Sequence, residues 1–255
     1  MPPDPTSRDP IDRLAPTRRP DDRVVMYQRW RSLLFLHWEV DPALLHRLLP
    51  TGLDLDTFAG RAYVGLVPFS MQAVRPARLP ALPWLSYFPE TNVRTYVHHA
   101  GRNPGVWFFS LEAANPIAVL LARRWFHLPY HRARMTLDRD PDGAFHYTSH
   151  RLWPGPTPAT SDLRGRPTGP PNPAVPGTLE HFLLERYWLY SGWKDRLFRG
   201  QVHHSPYPAQ PAEALAVDET LLAAAGIPRP PDAPLTHFSA GVDVEVFPLR
   251  PVSPG

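Results

Sequence analysis

The chain contains no cysteine, which removes disulfides, thiolate metal sites and cysteine nucleophiles together. Lysine is almost as scarce: Lys194 is the only one among 27 basic residues. Arginine keeps its proton and binds carboxylates bidentately, whereas a buried lysine can become neutral and attack a carbonyl. Schiff-base chemistry therefore has a single candidate residue. The patterns G-x-x-x-x-G-K-[ST], G-x-G-x-x-G and G-x-S-x-G are all missing. Phosphate-loop hydrolysis, Rossmann-type dinucleotide binding and elbow-type serine hydrolysis lose their sequence support. The longest apolar stretch, around Ala113–Ala122, is shorter than the ~20 residues a membrane helix requires. The first 25 residues carry no apolar core of signal-peptide type. These absences predict a soluble, cytoplasmic protein with no membrane partner.

What is present points to a packed, strand-rich domain. Hydrophobic residues make up 43% of the 255 positions and charged residues 20%, a balance that supports a globular core. The 35 prolines far exceed the roughly 13 expected at ~5% usage. Such an excess disfavours long helices and favours strands joined by pinned turns. The net charge is +3, but the arginines are dispersed among acids without a basic, aromatic-rich stripe, so no nucleic-acid partner is expected. Residues 1–23 alternate arginine, aspartate and proline and read as a disordered tail. The remainder, 24–255, reads as one domain, with Pro154–Pro176 as a proline-rich surface excursion that could be a linker or a lid.

Within the domain, Ser32–Val40 is apolar and short enough for a buried strand. Asp41-Pro42 then opens a helix through Leu49, the carboxylate capping free amides. Leu53–Phe58 and Ala62–Phe69 read as a hairpin around Ala59-Gly60. Asn92–His98 and Val106–Leu111 flank a turn. Asn115-Pro116 caps a helix that Pro129 stops. Ala133–Asp138 and Ala144–His150 surround Asp140-Pro-Asp-Gly143, a turn signal. Thr178 caps an aromatic helix to about Tyr190, and Glu213–Ala225 reads as an alanine-rich helix ending at Gly226. Gly241–Phe247 alternates valines with acids, as a half-exposed strand does. Hairpins with interspersed helices predict an α+β domain, mainly an antiparallel β-barrel or strongly curved sheet with flanking helices.

The 12 histidines do not assemble a metal pattern. His98-His99 and His203-His204 are neighbours whose side chains point to opposite faces of a strand, and Pro129 breaks any helix that would align His127 with His131. No metal site and no cofactor is expected. Four polar residues form a candidate constellation: Arg31 to clamp a carboxylate, and Glu90, Tyr130 and His131 for proton transfer. The competing reading is structural, with Arg31 and Glu90 on the surface or in ion pairs and Tyr130 packed in a wall. The aromatic groups Trp107-Phe108-Phe109 and Tyr187-Trp188 fit either a core or a cavity lining.

Several segments occur in an order that resembles the YqjF-like family, domain of unknown function 2071. They are Trp30–Val40, Asp41-Pro-Ala-Leu-Leu-His-Arg-Leu-Leu-Pro50, Gly52–Phe58, Val67-Pro-Phe69 and Phe88-Pro-Glu-Thr-Asn-Val-Arg-Thr-Tyr-Val97. Gly105–Leu111, Glu185-Arg-Tyr187 and His203-His-Ser-Pro206 extend the resemblance over most of residues 26–250. That family is in turn similar to the acetoacetate decarboxylase superfamily, which implies an antiparallel barrel around a mostly apolar cavity. Arg31 and Glu90 look like the decarboxylase arginine and active-site glutamate. Ala122-Arg-Arg-Trp-Phe-His-Leu-Pro-Tyr-His131 resembles the decarboxylase segment that ends in proline and two lysines. Here those lysines are replaced by Tyr130 and His131, and neither phenol nor imidazole can form a Schiff base. Oligomers are common among the related decarboxylases, so a homo-oligomer stands as an open expectation.

The expected function is a cavity for a small carboxylate or carbonyl molecule without iminium decarboxylation. The alternative is a lysine-independent lyase, hydratase or isomerase using Glu90, Tyr130 and His131.

Overall fold

The computed structural model describes residues 11–155 and 157–252. Residues 1–10, the start of the expected tail, lie outside them. The described part of that tail is docked: a 3-10 turn, Ala15–Thr17, buries Pro16, Arg13 pairs with Asp56, and Arg19 donates to Glu245 at 2.6 Å.

Strand β1, Met26–Val40, runs into α1, Pro42–Leu48, where Asp41 accepts from the Ala43 amide as expected of a cap. The next strands are β2, Asp54–Leu55, β3, Ala62–Pro76, β4, Phe88–His99, and β5, Arg102–Ala113. Helix α2, Pro116–Leu121, is capped by Asn115 and continues into a π-turn, Ala122–Phe126. Then come β6, Tyr130–Arg139, β7, Phe145–Trp153, β8, Thr160–Pro167, and α3, Leu179–Leu184. The chain closes with β9, Trp188–Trp193, β10, Arg196–His203, β11, Ala209–Glu219, α4, Leu221–Ala224, β12, Leu235–Val246, and β13, Arg250–Pro251.

These strands form one strongly curved sheet in the order β13-β10-β9-β5-β6-β7-β8-β11-β12-β1-β3-β4-β2, with further pairings β4–β5 and β10–β12 that close it on itself. It is not a simple barrel, because β4, β5, β10 and β12 each have three neighbours. Strand β5 pairs with β4 on one edge; on the other it meets β9 at Gly105–Trp107 and β6 at Leu111–Ala113, both in parallel. The other pairings are antiparallel, as expected. Gly105 permits the β9 contact: a Cβ there would lie 2.4 Å from the Trp188 carbonyl oxygen.

Four expectations need correction. The Leu53–Phe58 strand pairs with β4, and only one bridge, Phe58 to Arg61, survives of the hairpin with β3. Pro154–Pro176 is no mere excursion, since β8 lies within it, paired with both β7 and β11, and buries Leu163. Glu213–Ala225 is mostly strand: from Glu213 to Glu219 it pairs with β8. Alanine favours helix over strand, and here tertiary pairing with β8 overrides that preference. The helix capped by Thr178 ends at Leu184, and Trp188–Trp193 joins the sheet.

The main core lies inside the curve, where Leu33, Phe35, Val67 and Phe69 meet Leu111, Val202 and Val244. A second cluster, including Leu34, Leu36, Leu66 and Leu163, fills the space under α1 and α4.

Candidate functional site

Inside the curve is a cavity of about 550 Å³, within the range of small-molecule sites. Its wall is mainly apolar, with Leu33, Val67, Phe69, Phe108 and Leu111 among the lining. Three of its polar groups come from β4. Residues two apart on a strand share a face, so Phe88, Glu90, Asn92 and Arg94 all line the cavity while Thr91, Val93 and Thr95 do not.

Glu90 sits mid-sheet, opposite Phe69 of β3 and Ala113 of β5. The Tyr130 hydroxyl donates to its Oε2 at 2.8 Å. Burial pushes the Glu90 carboxyl up to about 8; the phenol's hydrogen bond opposes this and the charge of Glu112 adds to it. Burial next to that carboxyl also holds the Tyr130 phenol well above its ordinary range. A local reversal delivers Tyr130 to this place. His127 ends the π-turn with φ +52°, Leu128-Pro129 follow, and Tyr130 pairs with Leu111 at the start of β6. Arg123 secures the reversal by donating to the Tyr130 carbonyl at 2.6 Å.

Alternation excludes the neighbour. His131 pairs with Glu112 rather than Leu111, so it belongs to the layer behind the wall, where Arg151 is paired with Glu112. Desolvation, with the nearby Arg151 charge, lowers the imidazole to about 4. It is not part of the cavity lining.

Arg31 also points away. Trp30 lines the cavity, and Arg31, one residue on, donates to the Trp30 and Val242 carbonyls and to Asp243. Ser32, with φ +53°, then resets the alternation so that Leu33 faces inward again. Lys194 lies in the exposed β9–β10 turn, with its ammonium 4.5 Å from the Trp193 ring centroid. The cavity wall contains no lysine.

Two cavity arginines went unread in the sequence. Arg186 donates to Asp56 at 2.9 Å and to the Phe182 carbonyl at 2.8 Å, so its charge is answered. Arg94 is different. It donates to the Leu183 carbonyl at 3.2 Å, its Nε has no partner, and among the described residues no carboxylate lies within 4 Å of it. Asn92 Oδ1 is likewise unpartnered. The available signal was the two-residue period of Glu90-Thr-Asn-Val-Arg94, which places all three polar side chains on one face.

The architecture is that of acetoacetate decarboxylase-like proteins. The enduracididine biosynthesis enzyme MppR complexed with pyruvate superposes with TM-score 0.62 at 13% identity, covering 92% of each chain. Acetoacetate decarboxylase from Legionella pneumophila gives 0.59 at 14%, covering 91% of this chain and 88% of that one. An acetoacetate decarboxylase-like enzyme from Sphingomonas wittichii RW1 gives 0.60 at 13%, covering 91% and 94%. Identities this low establish the fold alone. Within that architecture the chain belongs to the DUF2071 family, described as an uncharacterized conserved protein, whose family model matches residues 27–243. The uncharacterized protein YqjF of Bacillus subtilis (strain 168) is 40% identical over 231 residues, 91% of this chain and 94% of that protein.

Proposed function

We propose that the cavity binds a small organic acid with an apolar body, its carboxylate held by Arg94. The observation that carries this reading is a buried guanidinium on an apolar wall with no acidic partner among the described residues. A buried charge is costly unless paired, and a carboxylate matches the guanidinium fork. Arg94 lies four residues along β4 from Glu90, or about 13 Å at ~3.3 Å per residue, on the side away from the 77–87 loop. The acid therefore enters head first, and its carbon skeleton lies along the apolar wall towards Glu90 and Tyr130. Arg94 takes the role that the resemblance gave to Arg31.

A second reading, acid–base catalysis, is favoured by the Glu90–Tyr130 pair. A carboxyl raised to about 8 is divided between its acid and base forms near neutral pH, as proton transfer requires. Iminium formation is not part of either reading.

Binding is tested by titrating the protein with straight-chain carboxylic acids and the alcohols of equal length. Acids should bind more tightly than alcohols, and Arg94→Gln should weaken acid binding by roughly 10- to 150-fold, the worth of a charge-assisted hydrogen bond. Equal affinity for acids and alcohols overturns the assignment.

A further inference from the structure

We infer that the rim of the cavity, formed by residues 78–87 together with α2 and its π-turn, is a docking surface for an anionic lipid bilayer. Helix α2 reads Pro-Ile-Ala-Val-Leu-Leu and has no polar side chain. A helix that is apolar all round is normally covered on every side, yet Ile117 is 40% and Leu120 53% exposed. The adjoining segments repeat the anomaly: Leu79 is 57%, Trp84 64% and Trp125 62% exposed. The two segments form one surface, because Asn115, the α2 cap, donates to the Trp84 carbonyl at 2.9 Å. Leu79, Leu82 and Trp125 also line the cavity, so this surface surrounds its opening.

Charge decides what covers it. Residues 75–89 and 114–131 contain Arg75, Arg78, Arg123 and Arg124 and not one aspartate or glutamate. None of these arginines has a carboxylate within 4 Å among the described residues. Elsewhere arginines are paired repeatedly, as at Arg164 with Asp140 and Asp142, or Arg166 with Glu213. A two-fold contact between copies of the chain would set this single-sign face against itself, bringing arginines together without counter-charges. An anionic bilayer supplies the complement to both components. Its headgroups attract the arginines, Trp84 and Trp125 suit the interfacial zone, and the leucines and Ile117 enter the acyl boundary. This departs from the expectation of no membrane partner, which rested on the lack of a spanning segment; among the described residues no helix is long and apolar enough to cross a membrane, and docking at the surface requires none. Docked this way, the cavity opens towards the lipid, where an amphipathic acid would partition.

The test is cosedimentation of the full chain with vesicles, one set of phosphatidylcholine alone and one containing a quarter phosphatidylglycerol. The protein should pellet with the anionic vesicles, be released by high salt and stay largely in solution with the neutral ones. Arg78→Gln with Arg124→Gln should weaken binding about 30-fold, at roughly 5-fold for each arginine near an anionic surface. Trp84→Ala with Trp125→Ala should abolish quenching of protein fluorescence by brominated acyl chains. All four side chains are solvent-accessible, so both double variants should keep the wild-type melting temperature. Failure to pellet with anionic vesicles overturns the inference, as does equal binding to neutral ones. So does a concentration-dependent dimer that Leu120→Glu converts to monomer, which would make a second copy the occupant. The readout needs no cavity ligand, so its outcome is separate from that of the acid-binding assay.

Discussion

Replacing Glu90 with glutamine gives a direct reading of what the cavity does to a carboxyl group. In the folded protein burial raises it from 4.5 to about 8, whereas in the unfolded chain it titrates near the lower value. Below 4.5 both states hold the proton and stability is full. Between the two values the folded state keeps a proton that the unfolded chain releases, so stability falls as pH rises. Above 8 both states are ionised and the loss is complete. At 1.36 kcal/mol per unit, the separation corresponds to a loss of about 5 kcal/mol. Glutamine has no proton to lose, so its profile lacks this limb. Urea unfolding of both proteins between about pH 5 and about pH 9 gives the difference in unfolding free energy. That difference should move by about 1.4 kcal/mol per pH unit in favour of the variant until it levels off near the folded value. Other shifted groups, such as Glu112, raised by burial, and His204, lowered to about 4 by burial, are present in both proteins and cancel. Parallel profiles would refute the claim that the cavity desolvates Glu90.

Asp56→Asn should cost about 3–5 kcal/mol, the usual effect of leaving a buried charge without its partner, because buried Arg186 then loses its 2.9 Å ion pair. A urea midpoint equal to the wild type would contradict that account. If the Glu90–Tyr130 pair moves protons, a straight-chain keto acid long enough to reach Glu90 from Arg94 should exchange the protons beside its ketone with heavy water faster with the protein than in buffer, as followed by proton resonance. Glu90→Gln should remove this acceleration and Tyr130→Phe should reduce it; an exchange rate unaffected by either substitution excludes the catalytic reading.

Local signals proved reliable where one short segment carries the physics. Asp41-Pro42 and Asn115-Pro116 each predict a capped helix start, and both caps form. The valine–acid alternation after Gly241 predicts a strand, and it is part of β12. The alanine-rich Glu213–Ala225 segment misled, because helix propensity is a weak preference that pairing with β8 outweighs. Proline enrichment in Pro154–Pro176 suggested a surface path, but the proline-free stretch Thr160–Arg166 is long enough to enter the sheet.

At the cavity the division is sharper. Composition alone excluded a thiol nucleophile and left one amine, and the period of β4 already held Glu90, Asn92 and Arg94 on a common face. Which strand face turns inward is not a local property. It depends on the positive-φ residue Ser32 that resets β1, on the His127 reversal that selects Tyr130 over His131, and on closure of the sheet through β4–β5. Long-range pairing therefore turned Arg94 inward and tied Arg31 to Asp243: alternation assigns side chains to two sides, and only the curvature of the assembled sheet makes one of them an interior.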